Sequence, residues 1–130
     1  MRKGPVPEKA IAIALPVALA RGFVIPCQRS QGGEIDFVIA CNDRTTIACI
    51  CRTKRLNEPL AEMEFQLRFI IATLRQVPHN AGRTCEIWAC DYYGNIRFFR
   101  LTETGLVEIG RDGNPLADTV LPEDTPPDWE

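Results

Sequence analysis

The sequence predicts a mixed α/β domain, a central mixed β-sheet flanked by helices. Two observations carry this. Short apolar runs bounded by turn residues alternate with helix-periodic segments, in the order α-β-β-β-α-β-β, with a short final strand to follow. The 130 residues are also 45% hydrophobic and 25% charged, globular values that exclude a wholly disordered chain or a disulfide miniprotein. That length suits one domain with a real core and is too short for two.

The first element is the apolar segment Ala10 to Ala20. Following Met1-Arg2-Lys3, it has the outline of a secretion signal, and Ala18-Leu19-Ala20 even resembles a cleavage site. Glu8, Lys9 and Pro16 count against that reading. A helix fits better, with Ile11, Leu15, Ala18 and Leu19 on one stripe and Gly22 as its end. The run is too short to cross a bilayer, which needs about 20 apolar residues, so no membrane partner is expected.

Phe23 to Cys27 reads as a strand weakened by Pro26, and Ser30 to Gly33 as a turn. Ile35 to Cys41 is a nearly continuous apolar strand broken by Asp36. The turn Asn42-Asp43-Arg44 leads to a second buried strand, Thr45 to Cys51. After the polar stretch Arg52 to Glu58, Pro59 opens a helix whose stripe is Leu60, Met63, Leu67, Ile70, Ile71 and Leu74. Its other face carries Glu62, Gln66, Arg68 and Arg75. Pro78 to Gly82 is a loop holding His79, the lone histidine, read as a surface residue. Glu86 to Cys90 and Ile96 to Leu101 form a hairpin around Asp91-Tyr92-Tyr93-Gly94-Asn95, and Leu106 to Ile109 adds a last strand. The domain therefore spans residues 1–110, and 111–130 form an acidic, proline-bearing arm that is extended or disordered.

Of the residues able to do chemistry, Asp36 interrupts a buried strand and Cys49 and Cys51 share one face of the next. Asp36 also suits a plainer role, a strand-end carboxylate bonded to a backbone N–H or an arginine. Six cysteines (27, 41, 49, 51, 85 and 90) allow three disulfides, but five lie in or beside apolar runs where a thiol packs as a small core residue. A reduced, cytoplasmic protein is expected. Zinc on Cys49, Cys51, Cys85 and Cys90 is disfavoured, because zinc knuckles sit on tight loop spacings rather than along a strand. Arg52, Lys54 and Arg55, with Arg44 nearby in sequence, form a basic cluster suited to phosphate contact or to plain solvation.

This order, with Arg21-Gly22-Phe23 ending a helix, a paired-glycine turn and Glu34-Ile35-Asp36-Phe37-Val38-Ile39-Ala40, resembles the PD-(D/E)XK nuclease superfamily. Within it, the resemblance is to the small archaeal Holliday-junction-resolvase-like and restriction-endonuclease-like domains. The resemblance covers roughly residues 8–109. It implies a restriction-endonuclease-like fold in which Asp36 holds a catalytic metal ion that activates water against a phosphodiester. The acid-x-lysine partner of that family falls on Cys49-Ile50-Cys51 here. A thiol is a poor ligand for Mg²⁺ and supplies no positive charge. The resemblance therefore implies a catalytically degenerate relative, a pseudoenzyme needing no cofactor, that binds DNA or RNA or supports a partner that does. Were it active, Mg²⁺ and the set Asp36, Glu34 and Glu62 would carry the chemistry, with Glu64 or Glu8 as further carboxylates. A protein-interaction subunit that dimerises through its apolar helix face or the Phe98-Phe99 hairpin is the alternative.

The formal charge of −2 hides an asymmetry. Residues 1–100 carry 14 basic and nine acidic groups, and residues 101–130 one basic and eight acidic. A basic body is compatible with a phosphate backbone, and the acidic end is placed to cover that body or to repel nucleic acid.

Overall fold

The computed structural model describes residues 8–27, 35–41, 44–77 and 82–116. Helix α1 (Glu8–Arg21) leads into strands β1 (Phe23–Pro26), β2 (Phe37–Ala40) and β3 (Thr45–Arg52). Two short helices follow, α2 (Leu60–Gln66) and α3 (Arg68–Leu74), and then β4 (Arg83–Cys90), β5 (Ile96–Thr102) and β6 (Gly105–Ile109). The six strands form one sheet in the order β1-β2-β3-β4-β5-β6. Every neighbouring pair is antiparallel except β3 and β4, which run parallel in a register from Thr45 opposite Arg83 to Arg52 opposite Cys90. A parallel pair cannot be closed by a tight turn, and α2 and α3 supply the crossover.

Because side chains alternate across the sheet, the core is two cores. On one face Ala10, Ala14, Val17 and Ala18 of α1 pack on Phe37, Ile39, Ala48, Ile50, Trp88, Phe98 and Ile109. On the other, Met63, Leu67, Ile70 and Leu74 cover Ile47, Cys49, Cys51, Cys85, Ile87, Ala89, Phe99 and Leu101. The central strands β3 and β4 are buried on both faces, which is why they read as unbroken apolar runs.

Two expectations about the helices change. The inward stripe of α1 is Ala10, Ala14, Val17 and Ala18, whereas Leu15 and Leu19 are exposed. Small residues let the helix backbone approach the sheet, where Trp88, Phe37 and Phe98 fill the volume instead. The single helix expected from Pro59 to Leu74 is divided at Leu67, whose φ of −98° and ψ of 12° leave the helical region. Its apolar stripe nevertheless runs through both pieces, and Leu67 and Ile71 keep i→i−4 hydrogen bonds of 2.9 Å. Phe98 and Phe99, the hairpin pair considered for dimerisation, point into the two opposite cores and are buried there.

The close approach of α1 requires glycine at its exit. A Cβ on Gly22 would stand 2.7 Å from the Ala40 carbonyl oxygen. Residues 111–116, placed in the arm by composition, are part of the folded body. The Gly110 and Gly113 N–H groups donate within the turn, and Pro115 bridges Ile109 of β6. The Ser30–Gly33 turn, most of the Pro78–Gly82 loop with His79, and residues 117–130 lie outside the described residues. No helix among the described residues is long and apolar enough to cross a membrane.

Candidate functional site

Asp36 sits one residue before β2, beyond the last ladder pair, Phe37 with Ala48. Its N–H donates to the Ala48 carbonyl at 2.9 Å. Its buried carboxylate accepts the Ile50 N–H at 2.7 Å. In an antiparallel ladder that N–H would face the next residue of β2; where β2 ends, the Asp36 side chain replaces the missing backbone acceptor. Asp36 therefore lies beside the Cys49–Cys51 stretch, at the C-terminal end of β3. The negative charge also acts outward: burial first, and Asp36 second, hold the Cys27 thiol above its ordinary value.

The carboxylates considered as partners lie elsewhere. Glu62 is in an ion pair of 3.0 Å with Arg55 on the protein surface. Glu64 accepts the Leu106 N–H of β6 at 2.8 Å, four strands from β2. Glu8 opens α1, exposed, and Glu34 lies outside the described residues. Among the described residues no three His, Cys, Asp or Glu side chains gather into a metal-binding group. Cys49 and Cys51 share the α2–α3 core with Cys85, but Cys90 lies in the α1 core across the sheet, so these four thiols do not surround one point. All six cysteines carry thiols. Burial pushes the Cys90 thiol up to about 11, against a smaller opposing pull from Arg52.

The basic residues divide by strand direction. Arg52 ends β3, at the same end of the sheet as Asp36, and Lys54 and Arg55 follow it on the surface. Arg44 precedes β3, about 26 Å away along a strand rising about 3.3 Å per residue. It instead lines a cavity of about 210 Å³ with Arg21, Cys41, Thr46 and Asp112.

The segment after β3 is firmly placed. The Thr53 N–H donates to Cys90 O at 2.8 Å and its hydroxyl to Gln66 Oε1 at 2.6 Å. Gln66 Nε2 reaches Arg55 O at 3.1 Å. Arg97 of β5 completes the support: it grips Glu108 with two hydrogen bonds of 2.9 and 2.7 Å. The same guanidinium holds the Leu56 and Glu58 carbonyls at 2.6 and 2.7 Å. The guanidinium of Arg52 lies 4.6 Å from the centre of the exposed Tyr92 ring. Its Nε is buried with no hydrogen-bond partner among the described residues. Tyr92 stands on a turn ordered by Asp91, which accepts from the N–H groups of Tyr93 and Asn95 at 2.8 and 2.9 Å. The Asn95 side chain and these amides hold the Asp91 carboxyl below its ordinary range.

An ionic cluster lies on the α1 face of the sheet. Glu86, fully buried on the α1 face, accepts two hydrogen bonds from Arg21, of 2.9 and 2.7 Å, and a third from Trp88 Nε1 at 2.9 Å. Arg100 lies 3.6 Å from the same carboxylate and donates to the Gly113 carbonyl. Gly113 has φ of +88°, and a Cβ there would meet the Arg21 guanidinium at 2.6 Å. The cluster thereby ties α1, β4, β5 and the C-terminal turn together. Its one sequence signal is Glu86 itself, a lone charge opening the apolar run Glu86 to Cys90.

Family models, curated proteins and solved structures were all compared with the chain, and none matches it.

Proposed function

We propose that this chain is a nuclease-like domain that binds nucleic acid without cleaving it. The observation that carries the reading is a coincidence of place. Asp36, the Cys49–Cys51 stretch and the basic residues Arg52, Lys54 and Arg55 all belong to one end of β3. A phosphate backbone held by the three cations would lie beside the position where a relative of this pattern keeps its metal. Two features of the fold support the restriction-endonuclease-like resemblance. The strand containing 37–40 lies directly beside that containing 45–52, and the basic stretch passes into the helices that cross over to a parallel strand. Cysteine at both acid-x-lysine positions, together with Asp36 acting as a backbone acceptor, supports the absence of cleavage.

The chemistry of the cations favours release toward a phosphate. Arg55 and Glu62 form an exposed pair, of a kind worth about 0–1 kcal/mol, and a phosphate can replace Glu62 at little cost. The test is fluorescence anisotropy with labelled single-stranded, duplex and branched oligonucleotides across a salt series. The wild-type protein is expected to bind at low salt, steeply salt-dependent, and to leave every substrate intact with Mg²⁺ or Mn²⁺ present. Changing Arg52, Lys54 and Arg55 together to alanine should lower affinity about tenfold or more. It should also flatten the log–log salt slope by up to about three. A wild-type protein that binds none of these oligonucleotides at low salt overturns the reading. Metal-dependent cleavage abolished by Asp36→Ala replaces it with an active endonuclease.

A further inference from the structure

We propose that the α2–α3 flank of this basic end is a stacking platform for unpaired bases, so that the preferred ligand is single-stranded nucleic acid. The inference rests on the reading above and specifies its ligand. Phe65 and Phe69, one turn apart, are 57% and 61% exposed, an unusual investment of large apolar surface in solvent. Arg68 lies against both, 4.0 Å from the centre of one ring and 4.6 Å from the other. Its Nη1 donates to Phe65 O at 2.7 Å, which fixes the guanidinium over the rings. A guanidinium set against two exposed aromatic rings makes a cationic, π-rich surface, and a partner complementary to it is anionic and carries flat rings of its own.

Gln66 ties this helix pair to the segment that carries the proposed phosphate contacts. Gln66, between the two rings in sequence, bonds to Thr53 and to the Arg55 carbonyl. Arg52, next to Thr53, stacks on Tyr92, and Tyr93 beyond it is 90% exposed. Two aromatic–basic pairings, one on α2–α3 and one at the β4–β5 turn, thus flank the segment Thr53 to Arg55. A duplex keeps its base faces stacked inside, so such a surface would meet only its phosphates and the rings would contribute nothing. An unpaired strand offers both the phosphates and the base faces, and every base has a π-face that can stack on a protein aromatic.

The test compares Phe65→Ser/Phe69→Ser with the wild-type full-length chain, using a labelled oligothymidylate and a mixed-sequence duplex of equal length. Both rings are exposed, so the fold should survive, and Phe65→Trp/Phe69→Trp controls for it by keeping the stacking surface. The expected result is a loss of about tenfold or more on the single strand, an unchanged salt slope, unchanged duplex binding, and recovery with tryptophan. Equal loss on both ligands, no loss on either, or a wild-type preference for duplex overturns the platform while leaving nucleic-acid binding intact. Sedimentation that finds a wild-type dimer, made monomeric by the serine variant with oligothymidylate binding unchanged, assigns the rings to a second copy of the chain and also overturns it. Absence of wild-type binding to both oligonucleotides instead removes the underlying reading.

Discussion

Glu86 shows at the scale of one residue why a buried charge is tolerated. Its carboxylate receives three hydrogen bonds and faces a second guanidinium, so little of its hydrogen-bonding capacity is wasted. Such a group is costly to orphan. Glu86→Ala would leave Arg21 and Arg100 facing each other in a nearly dry layer. It should destabilise the fold by about 3–5 kcal/mol, measured by denaturant unfolding. A loss under about 1 kcal/mol would mean that solvent reaches the cluster. Asp36 is the contrasting case. Its position in an apolar strand drew attention from the sequence, and one plain reading, a strand-end carboxylate on a backbone N–H, matches the bond to Ile50. What sequence could not supply was the partnership of Glu86. Arg21 is 65 positions away, and only the packing of α1 against β4 joins them.

At the scale of elements, strands were legible and helix faces only partly so. The runs near 45–51 and 86–90 are apolar because two layers bury them, and such runs mark themselves. Helix α1 does not, because it is apolar all round: alanine and leucine stripes compete, and size gives the wrong answer when the helix must lie close to a sheet. The correction has a measurable form. Ala14→Leu, on the inner stripe, should cost about 1–3 kcal/mol through overpacking. Leu19→Ala, on the exposed side, should change stability by no more than about 0.5 kcal/mol. Thermal or chemical unfolding of the pair decides between the two stripes, and the reverse ranking would restore Leu15 and Leu19 to the core side. The basic cluster was legible in the same partial way. Arg52, Lys54 and Arg55 leave one strand end together, but a strand carries its two ends apart, which removes Arg44.

At the scale of the whole molecule, the small net charge joins a basic body to acidic residues at the end of the chain. Residues 117–130 contain five acidic groups and no basic one. Composition alone set the boundary at Arg111, yet Gly113 lies against Arg21 and Pro115 pairs with β6, so residues 111–116 belong to the folded body. Removing the acidic residues by truncation after Leu116 should strengthen low-salt binding to the oligonucleotides severalfold. Unchanged or weaker binding would remove the tail from any role in modulating the basic face. Truncation at Arg111 should differ, since it also strips Gly113 from the ionic cluster.

The single parallel junction in the sheet has a kinetic consequence. Strands β1–β3 and β4–β6 are two meanders of neighbours in sequence, whereas Ile50 and Trp88 meet only after the crossover is drawn in. Closing that longer loop costs entropy before the pairing returns any of it. The two meanders should accordingly organise first and the seam between them last. Stopped-flow refolding provides the check. Ile50→Val at the seam should chiefly accelerate unfolding, with a φ-value near zero, and Leu106→Ala in the β5–β6 hairpin should chiefly slow folding. The opposite pattern would make the seam the nucleus from which the sheet grows.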